Sequence, residues 1–251
     1  MKSGAVAPSA DSGAMNERTG RFALASLAAF FGAVLILLGA GACEAVRREK
    51  TVALTFDDGP HGEKTLELLK VLSDDRVKAS FFVVGKQVAF NRQVLRRIRD
   101  MGHTIANHSY THPNLTELSP AAARDEYAAC SELIRDVTGQ TPRFCRPPGG
   151  RTNAAVERAG REAGLQTVYW TVNSRDYTDL PPEEIARKVA GLVRPGGVVL
   201  LHGGVTATIE ALPAIIRDLR KKGYRFVTLD ELFPAPESHK AGIRRRGGSD
   251  S

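Results

Sequence analysis

The sequence predicts an α/β domain with parallel strands, arranged either as a barrel or as a doubly wound sheet. From residue 51 onward, apolar runs alternate with helix-like amphipathic stretches. This alternation is typical of parallel strands that are joined by crossover helices. The strand candidates are apolar on both faces, as expected for a sheet that helices cover. Seven such units between residues 51 and 233 suit one large domain.

The predicted elements follow one another at regular intervals along the chain. The strand candidates are the apolar runs at residues 51–56, 78–84, 103–108, 143–146, 166–172, 197–202 and 225–229. Amphipathic patterns predict helices between them, for example at residues 64–74, 91–102, 120–139 and 183–193. Glycines close several of these patterns and predict left-handed helix ends, at Gly102, Gly139, Gly164 and Gly223.

The N-terminal part of the chain differs from this domain in composition. Residues 1–21 are small and polar and predict disorder, whereas residues 22–42 carry no charge. As a helix, the uncharged run would span the ~30 Å hydrocarbon core of a membrane. A cleavable signal peptide is the alternative, because "AGA" at 40–42 fits a cleavage site. Either interpretation places the rest of the chain outside the cytoplasm, membrane-anchored or secreted.

Two short segments flank the predicted domain of residues 51–233. Residues 43–50 form a charged linker, and residues 234–251 form a basic tail that we expect to be disordered. The formal net charge of +7 comes partly from this tail, and only 6% of the residues are aromatic. Because basic and aromatic residues are not interleaved, the composition argues against a nucleic-acid partner.

Ionisable side chains fall at or just beyond the carboxyl ends of five predicted strands. They are Asp57 with Asp58, His108, Arg146, Asp176 and His202. The carboxyl ends of parallel strands line one rim of an α/β domain, where active sites are built. The sequence therefore predicts a single site at this rim.

The segment "HSYTH" and the pair "DD" together predict a metal site. His108 and His112 are four residues apart, but Pro113 disfavours a helix at that point. Two imidazoles and one carboxylate are a known ligand set of catalytic zinc, with one position left open for water. Neighbouring residues on a strand point to opposite faces. One of Asp57 and Asp58 can therefore join the histidines while the other takes a proton from water.

Two further motifs supply the remaining groups of a hydrolytic site. In "CRPPGG", Arg146 can hold a catalytic carboxylate through a charge-assisted pair. A backbone N–H near Gly149 can face a developing oxyanion. His202 ends an apolar strand, and it suits a general acid whose pKa a carboxylate such as Asp176 would raise.

The cysteines of the predicted domain, Cys130 and Cys145, leave two interpretations open. In an oxidising compartment they could form a disulfide, or they could be two separate buried thiols. Their spacing does not decide between these.

Taken together, the motifs resemble those of a known family. In order and spacing, "TFDDGP", "HSYTH", "RPPGG", "NSRDY" and "LLH" are similar to the motifs of the polysaccharide deacetylase family, also called carbohydrate esterase family 4 or the NodB-homology domain. The resemblance covers roughly residues 50–235. It implies a distorted (β/α) barrel of about seven parallel strands, and it makes residues 51–233 the catalytic domain.

The resemblance also implies a role for each residue that matches a motif. Asp57 matches the catalytic base, and Asp58 matches a metal ligand. His108 and His112 complete the metal site, which would hold one divalent ion, with zinc the first choice and cobalt or another divalent ion an alternative. Arg146 matches the arginine that orients the base.

On the substrate side, the Gly149 amide matches the oxyanion contact, and Leu200 matches a wall of the acetyl pocket. His202 matches the general acid, and Asp176 matches the carboxylate that tunes it. Tyr177 stands where the family usually has a tryptophan that contacts substrate.

Some positions depart from the family pattern. Asn173 replaces the first aspartate of the usual D-x-x-D-W segment. Gly149 replaces an aromatic residue of R-P-P-Y-G, and Gly203 replaces a frequent aspartate. These positions lie around the substrate wall, so they affect fine specificity rather than the catalytic core.

The implied function is metal-dependent hydrolysis of N-acetyl groups on a cell-wall or chitin-like glycan, with peptidoglycan N-acetylglucosamine the first choice. An O-acetyl esterase acting on xylan is the alternative on the same fold. From a different class, a non-catalytic glycan-binding module is a further alternative. The complete set of acidic and histidine site residues favours an enzyme. We expect a monomer whose partners are the acetylated glycan and, through residues 22–42, a membrane.

Overall fold

The computed structural model describes residues 49–235. The predicted disordered segment and the predicted membrane or signal segment lie outside the described residues. So do all but the last two residues of the predicted linker and all but the first two of the predicted tail. Among residues 49–235, no helix is both long enough and apolar enough to cross a membrane.

Strands and helices alternate through the described chain, as the sequence predicts. The strands are β1 (Thr51–Gly59), β2 (Ser80–Val83), β3 (Thr104–Asn107), β4 (Phe144–Cys145), β5 (Gln166–Thr167), β6 (Val172–Asn173), β7 (Gly197–His202) and β8 (Arg225–Phe226). The helices are α1 (Glu63–Asp74), α2 (Gly85–Phe90), α3 (Arg92–Asp100), α4 (Pro120–Thr138), α5 (Ala154–Glu162), α6 (Pro182–Leu192), α7 (Thr206–Lys221) and α8 (Leu229–Leu232). Short 3₁₀ turns lie at Leu115–Glu117 and Pro148–Gly150.

The strands form one parallel sheet that curls into a distorted barrel, which confirms the predicted fold class. The order across the sheet is β5-β4-β3-β2-β1-β7-β6, and β8 pairs with the start of β1. Every pairing is parallel. β1 is the central strand, because it pairs with β2, β7 and β8.

The prediction of one strand over residues 166–172 is wrong. This segment forms two short strands, β5 and β6, at opposite edges of the sheet. Val168 still donates its N–H to the Cys145 carbonyl at 2.8 Å, whereas Thr171 donates to the Val198 carbonyl at 2.9 Å. Residues 168–171 therefore cross the gap between the two edges. We call them the crossing segment.

β1 is longer than predicted and irregular at its carboxyl end. The predicted strand stops at residue 56, but β1 continues to Gly59 and includes both aspartates. Its register against β2 shifts between Phe56 and Gly59, and Asp58 has a φ of 72°. Because this irregularity interrupts the strict alternation of a strand, the two aspartates need not point to opposite faces.

Two apolar layers follow from the period-two alternation of the strands. One face packs against the helices and includes Val52, Leu54 and Phe56 of β1. The other face fills the barrel interior, where Ala53, Phe82, Ala106, Phe144 and Val198 come from five different strands and form one cluster. Burying each large side chain contributes about 1.5–3 kcal/mol to stability. The interior is therefore a packed core and not a channel.

The helix ends agree with the predicted glycine positions. Gly102, Gly139, Gly164 and Gly223 all have positive φ values, from 71° to 79°. Gly139 is the left-handed residue that ends α4. A side chain other than glycine would be strained in this conformation.

The two cysteines of the domain are free, buried thiols. Cys130 lies on α4 and points its sulfur at the Val83 carbonyl, 3.4 Å away. The Cys145 sulfur lies 3.6 Å from the Thr167 hydroxyl on the neighbouring strand. The sequence left a disulfide and two separate thiols as alternatives, and in the structure the two cysteines are separate thiols.

Candidate active site

The side chains that point into the barrel change from apolar to polar along β1 and β7, towards the carboxyl end of each strand. On β1 the interior residues are Ala53, then Thr55, then Asp57. On β7 they are Val198, Leu200 and His202. Each series of inward-pointing residues thus begins in the apolar interior cluster and ends in a polar group. Because the strands are parallel, these polar ends meet on one side of the molecule.

Asp58, His108 and His112 form a cluster with the geometry of a metal site. Asp58 Oδ1 lies 3.2 Å from His108 Nε2 and 3.1 Å from His112 Nε2. The three ligand atoms lie within 4.8 Å of one another. The three ligands predicted from the sequence therefore converge on one point.

The positions of Asp58 and His112 depend on unusual backbone conformations. Both have left-handed φ values, 72° for Asp58 and 61° for His112. The N–H of His112 donates to the Ser109 hydroxyl at 3.1 Å, and the N–H of Ser109 donates to Asn107 Oδ1 at 2.8 Å. This loop therefore turns sharply after β3 and brings His112 back towards His108. The strain is of the kind that is retained at functional sites.

Glu126 on α4 holds the same loop from outside. Its Oε2 accepts the N–H groups of Tyr110 and Thr111 at 2.9 Å and 2.7 Å, and its Oε1 accepts the Thr111 hydroxyl at 2.7 Å. The carboxylate thus satisfies donors in the turn that separates the two histidines.

The hydrogen bond on the far side of His108 fits a metal ligand. His108 Nδ1 lies 2.8 Å from the Arg146 carbonyl oxygen. A carbonyl can only accept, so Nδ1 carries the proton and donates. Nε2 then presents its lone pair towards Asp58 and His112, as a ligating imidazole requires. The residues present therefore fit a divalent cation.

The electrostatic surroundings of the cluster keep its carboxylate ionised. Burial opposes ionisation of Asp58, but its interactions with the two adjacent imidazoles, His108 and His112, outweigh burial and lower its pKa well below the ordinary range. The hydrogen bond to Asp58 raises the pKa of His112 against the effect of burial.

Asp57 and Arg146 form a buried ion pair beside the cluster. Asp57 is 3% exposed and Arg146 is fully buried. Arg146 Nη1 donates to Asp57 Oδ1 at 2.6 Å, and Asp57 Oδ2 lies 3.8 Å from His108 Nε2. The carboxylate thus has one oxygen fixed by the arginine and the other facing the metal ligands.

Arg146 is held from several sides. Its Nη1 also donates to the Thr55 hydroxyl at 3.0 Å, and its Nε donates to the Val168 carbonyl at 2.9 Å. The guanidinium carbon lies 4.0 Å from the centre of the Phe82 ring. A buried arginine with this many partners is rigid, because each partner fixes a different direction.

His202 and Asp176 form a second pair on the other side of β1. His202 Nδ1 lies 2.8 Å from Asp176 Oδ1, and the His202 backbone N–H donates to Oδ2 at 2.7 Å. Asp176 also accepts hydrogen bonds from the hydroxyls of Ser174 and Thr208. His202 lies directly opposite Asp57 in the register of β7 against β1.

In the Asp176–His202 pair, the pKa values of the two groups shift in opposite directions from their ordinary values. Burial disfavours the charged form of both groups, but their mutual hydrogen bond and attraction outweigh it. The pKa of Asp176 is lowered, and the pKa of His202 is raised. A histidine whose pKa is raised keeps its proton to higher pH, as a general acid requires.

The predicted substrate-side residues lie around these pairs. Leu200 is buried, two residues before His202 on β7. Tyr177 is 55% exposed, and its ring meets the His202 ring edge-on with 5.4 Å between centres. Its hydroxyl accepts a hydrogen bond from Asn173 at 3.1 Å. Gly149 has a φ of 64° in the loop that follows Arg146.

Several residues of this network were not identified from the sequence. They are Thr55, Asn107, Glu126, Ser174 and Thr208. All five carry polar side chains that hold a candidate site residue or its loop. The alternation along β1 could have identified Thr55, because it lies two residues before Asp57. No signal in a single sequence identifies Glu126 or Thr208, which reach the site from the helices α4 and α7.

Together, the fold and the site define a class of protein. A curled parallel barrel carries a candidate Asp-His-His metal site at its carboxyl rim, with an Arg-Asp pair on one side and an Asp-His pair on the other. Such a set of groups can supply the chemistry of a metal-assisted hydrolase.

Comparisons with known proteins give the family. The polysaccharide deacetylase family model matches residues 44–168. A peptidoglycan-N-acetylglucosamine deacetylase of Bacillus cereus is 35% identical over 193 residues, covering 75% of this chain and 70% of that protein. A chitooligosaccharide deacetylase of Bradyrhizobium sp. (strain ANU 289) is 36% identical over 205 residues, covering 76% of this chain and 91% of that protein.

A solved structure agrees with these relatives. The fold is similar, with a TM-score of 0.72, to a peptidoglycan N-acetylglucosamine deacetylase in complex with 4-naphthalen-1-yl-N-oxidanyl-benzamide. The two chains are 35% identical, and the match covers 75% of this chain and 90% of the other. The chain belongs to the polysaccharide deacetylase family, as its motifs predicted.

Proposed function

We propose that this protein is a metal-dependent deacetylase that removes N-acetyl groups from a cell-wall glycan, with peptidoglycan N-acetylglucosamine as the first candidate. The observation that carries the proposal is the convergence of Asp58, His108 and His112 beside the buried Asp57–Arg146 pair. The names of the peptidoglycan and chitooligosaccharide deacetylases to which the chain is similar support the substrate class.

The donor set supports zinc as the metal, with cobalt or another divalent ion as the alternative. Two imidazole nitrogens and one carboxylate oxygen are a common protein ligand set for catalytic zinc, and they leave further positions open. When bound, such a cation supplies Lewis-acid polarisation of the acetyl carbonyl and lowers the pKa of a water molecule.

Asp57 is the proposed general base. Its Oδ2 faces the metal ligands, while Arg146 holds Oδ1 at 2.6 Å. A carboxylate fixed in this way can take the proton of the attacking water without first reorienting.

Gly149 and Leu200 are proposed to receive the acetyl group. Water adds to the acetyl carbonyl carbon, so negative charge develops on the carbonyl oxygen. The Gly149 amide is the proposed donor to that oxygen, and its position in the loop after Arg146 supports this role. Leu200, on β7 beside the site, gives the methyl group an apolar wall.

His202 is the proposed general acid. Asp176 binds its Nδ1, which leaves Nε2 to donate a proton. The C–N bond of the acetamido group breaks as His202 protonates the leaving nitrogen. The products are a free amine on the sugar and acetate, which balances one water consumed. Tyr177, whose ring packs against His202, is proposed to form the adjacent wall for the sugar.

We further propose that the protein acts outside the cytoplasmic membrane, as a monomer that residues 22–42 anchor or that is secreted after their cleavage. The glycan substrates named for the relatives support an extracytoplasmic site of action. Fractionating cells that express the full chain, with and without residues 22–42, tests the anchor. Size-exclusion chromatography with light scattering tests the monomer.

Acetate release from the purified protein is the test of the proposed activity. N-acetylglucosamine oligomers, peptidoglycan and acetylated xylan are offered in parallel, with and without a chelator. We expect chelator-sensitive release from peptidoglycan. Faster release from acetylated xylan would instead identify the alternative O-acetyl esterase. Glycan binding without any acetate release would identify a non-catalytic module.

A further inference from the structure

The loop of residues 146–152 connects β4 to α5 and carries two groups of the proposed mechanism. Arg146 at its start binds Asp57, and the Gly149 amide lies in its middle. Gly149 and Gly150 both have positive φ values, 64° and 69°. Glycines have a wide choice of conformations, so the position of this loop depends on contacts elsewhere.

The crossing segment holds the start of the loop. Arg146 Nε donates to the Val168 carbonyl at 2.9 Å, and Arg146 Nη2 donates to the Tyr169 carbonyl at 3.4 Å. These bonds join the loop to the backbone that spans the edges of the barrel.

The same segment packs against the middle of the loop. A Cβ atom on Gly150 would lie 2.5 Å from the Trp170 ring, closer than any real contact. The indole therefore lies directly against the loop backbone. This contact limits movement in one direction, but it offers no hydrogen bond to fix the chain along its length.

A single carboxylate on α5 holds the end of the loop. Glu157 Oε1 accepts the Tyr169 hydroxyl at 2.6 Å and the Thr152 hydroxyl at 2.9 Å. Tyr169 thus binds both ends of the loop, the start through its carbonyl oxygen and the end through its hydroxyl and Glu157. These bonds join the end of the loop to α5 and to the crossing segment, so they bear directly on the position of the loop.

The charge of Glu157 strengthens both hydrogen bonds. Burial opposes its ionisation, but the hydroxyls of Tyr169 and Thr152 outweigh burial and lower its pKa. For the donor, Tyr169, burial and the bond to Glu157 raise the pKa to about 12, so the phenol stays protonated and donates. Hydrogen bonds to an ionised acceptor are roughly twice as strong as neutral ones.

We propose that Glu157 is a positioning residue for the deacetylation reaction. Through Tyr169 and Thr152 it fixes the far end of the loop that carries Arg146 and Gly149, and so sets where the base and the oxyanion contact stand. The expected effect of Glu157 on turnover rests on the proposed function. Its effect on the position of the loop is independent of that function.

Steady-state kinetics of three variants test the effect on turnover. We expect Glu157→Ala to lower kcat about tenfold with little change in KM, because small misplacement of catalytic groups costs rate rather than binding. Glu157→Gln retains an acceptor oxygen, so we expect it to recover most of the loss. Glu162→Ala is the matched control on the same helix, because the Glu162 carboxylate is exposed and 3.8 Å from Arg124. A kcat within twofold of wild type for Glu157→Ala, or an equal loss for Glu157→Gln, would overturn the proposal.

Hydrogen–deuterium exchange tests the loop without relying on activity. In Glu157→Ala and in the conservative variant Tyr169→Phe, we expect faster exchange of the amides of residues 149–152 and unchanged exchange in β1 and β7. Unchanged exchange of the loop in both variants would overturn the positioning role. If wild-type protein releases no acetate but the variants loosen the loop, the proposed function fails while the positioning role stands.

Discussion

Asp57 and Asp58 are neighbours in the chain, yet they have different surroundings. Asp57 is buried against Arg146, whereas the Asp58 side chain is 37% exposed and faces two histidines. The register shift near the end of β1 and the left-handed conformation of Asp58 separate them. Two identical side chains can therefore have two roles, a proton acceptor and a metal ligand, because the backbone turns between them.

The proposed division of roles predicts the behaviour of Asp57→Asn. The new amide cannot accept a proton, so turnover should fall about 10²–10⁴-fold, the usual contribution of a general base. The amide oxygen can still accept a hydrogen bond from Arg146, so metal content should remain near one ion per chain. Metal analysis alongside acetate release checks both. Loss of the metal would mean that the roles of the two aspartates are reversed.

His108→Ala should remove metal and activity together. Its Nε2 is one of three candidate ligand atoms, so its removal leaves only one imidazole and one carboxylate of the cluster. Equilibrium dialysis with zinc followed by metal analysis measures the loss. Wild-type protein that remains fully active after exhaustive chelation would contradict the metal-dependent mechanism.

Asp176→Asn should shift the pH profile of turnover. A general acid is active while it is protonated, so the rate falls as pH rises through its pKa. Asp176 raises the pKa of His202 against burial, so removing its charge lowers that pKa. The alkaline limb of the kcat profile should then move to lower pH. Asp179→Asn, at an exposed neighbouring position, is the control and should leave the limb in place.

Much of the site could be predicted from the sequence, because each predicted catalytic or ligating group ends a strand or follows one closely. The period-two alternation places Asp57 and His202 inside the barrel, and the motif order predicts the candidate metal ligands that the structure brings together. The left-handed conformation of Asp58 could not be predicted from alternation, which would turn it away from the histidines. The same limit applies to Glu126 and Thr208, whose contacts depend on how helices pack.

At the level of elements, the crossing segment is the least regular part of the barrel. Its sequence, "VYWT", is apolar and rich in β-formers, so it predicts the middle of a strand. Tertiary structure overrides that preference, because the two edges of the curled sheet must be connected. The predicted helices and the other strands agree with the structure within a few residues, since their patterns and end glycines point the same way.

Gly150→Ala should destabilise the protein more than Gly164→Ala. Both glycines have positive φ, 69° and 74°, so both variants bear the same backbone strain of about 1–2 kcal/mol. Only at position 150 would the new Cβ also meet a neighbour, the Trp170 ring at 2.5 Å. Overpacking of this kind costs a further ~1–3 kcal/mol. Urea denaturation of both variants measures the difference, and equal midpoints would contradict the contact.

At the scale of the whole molecule, apolar packing encloses both thiols of the domain, with Cys130 in the layer beneath the helices and Cys145 in a smaller cluster with Tyr127 and Val156. Burial raises the pKa of Cys130 to about 12 and that of Cys145 to about 11, so neither is a thiolate at neutral pH. In a Cys43→Ser background, a maleimide should label neither cysteine in the native protein and both after denaturation without a reductant. Mass spectrometry reads the outcome. Absence of labelling in denaturant would indicate a disulfide.

The pairing of β1 with β7 links the site to the order in which the chain is made. Asp57 and His202 are direct partners in the sheet, although they stand about 145 residues apart in the sequence. At about 5–20 residues per second, a ribosome takes roughly 7–30 seconds to add that length. During synthesis, the β7 edge of the central strand β1 therefore stays unpaired until β7 has been made. The proposed base and acid come together only when β7 pairs with β1, so the appearance of activity during refolding would report the formation of that pairing.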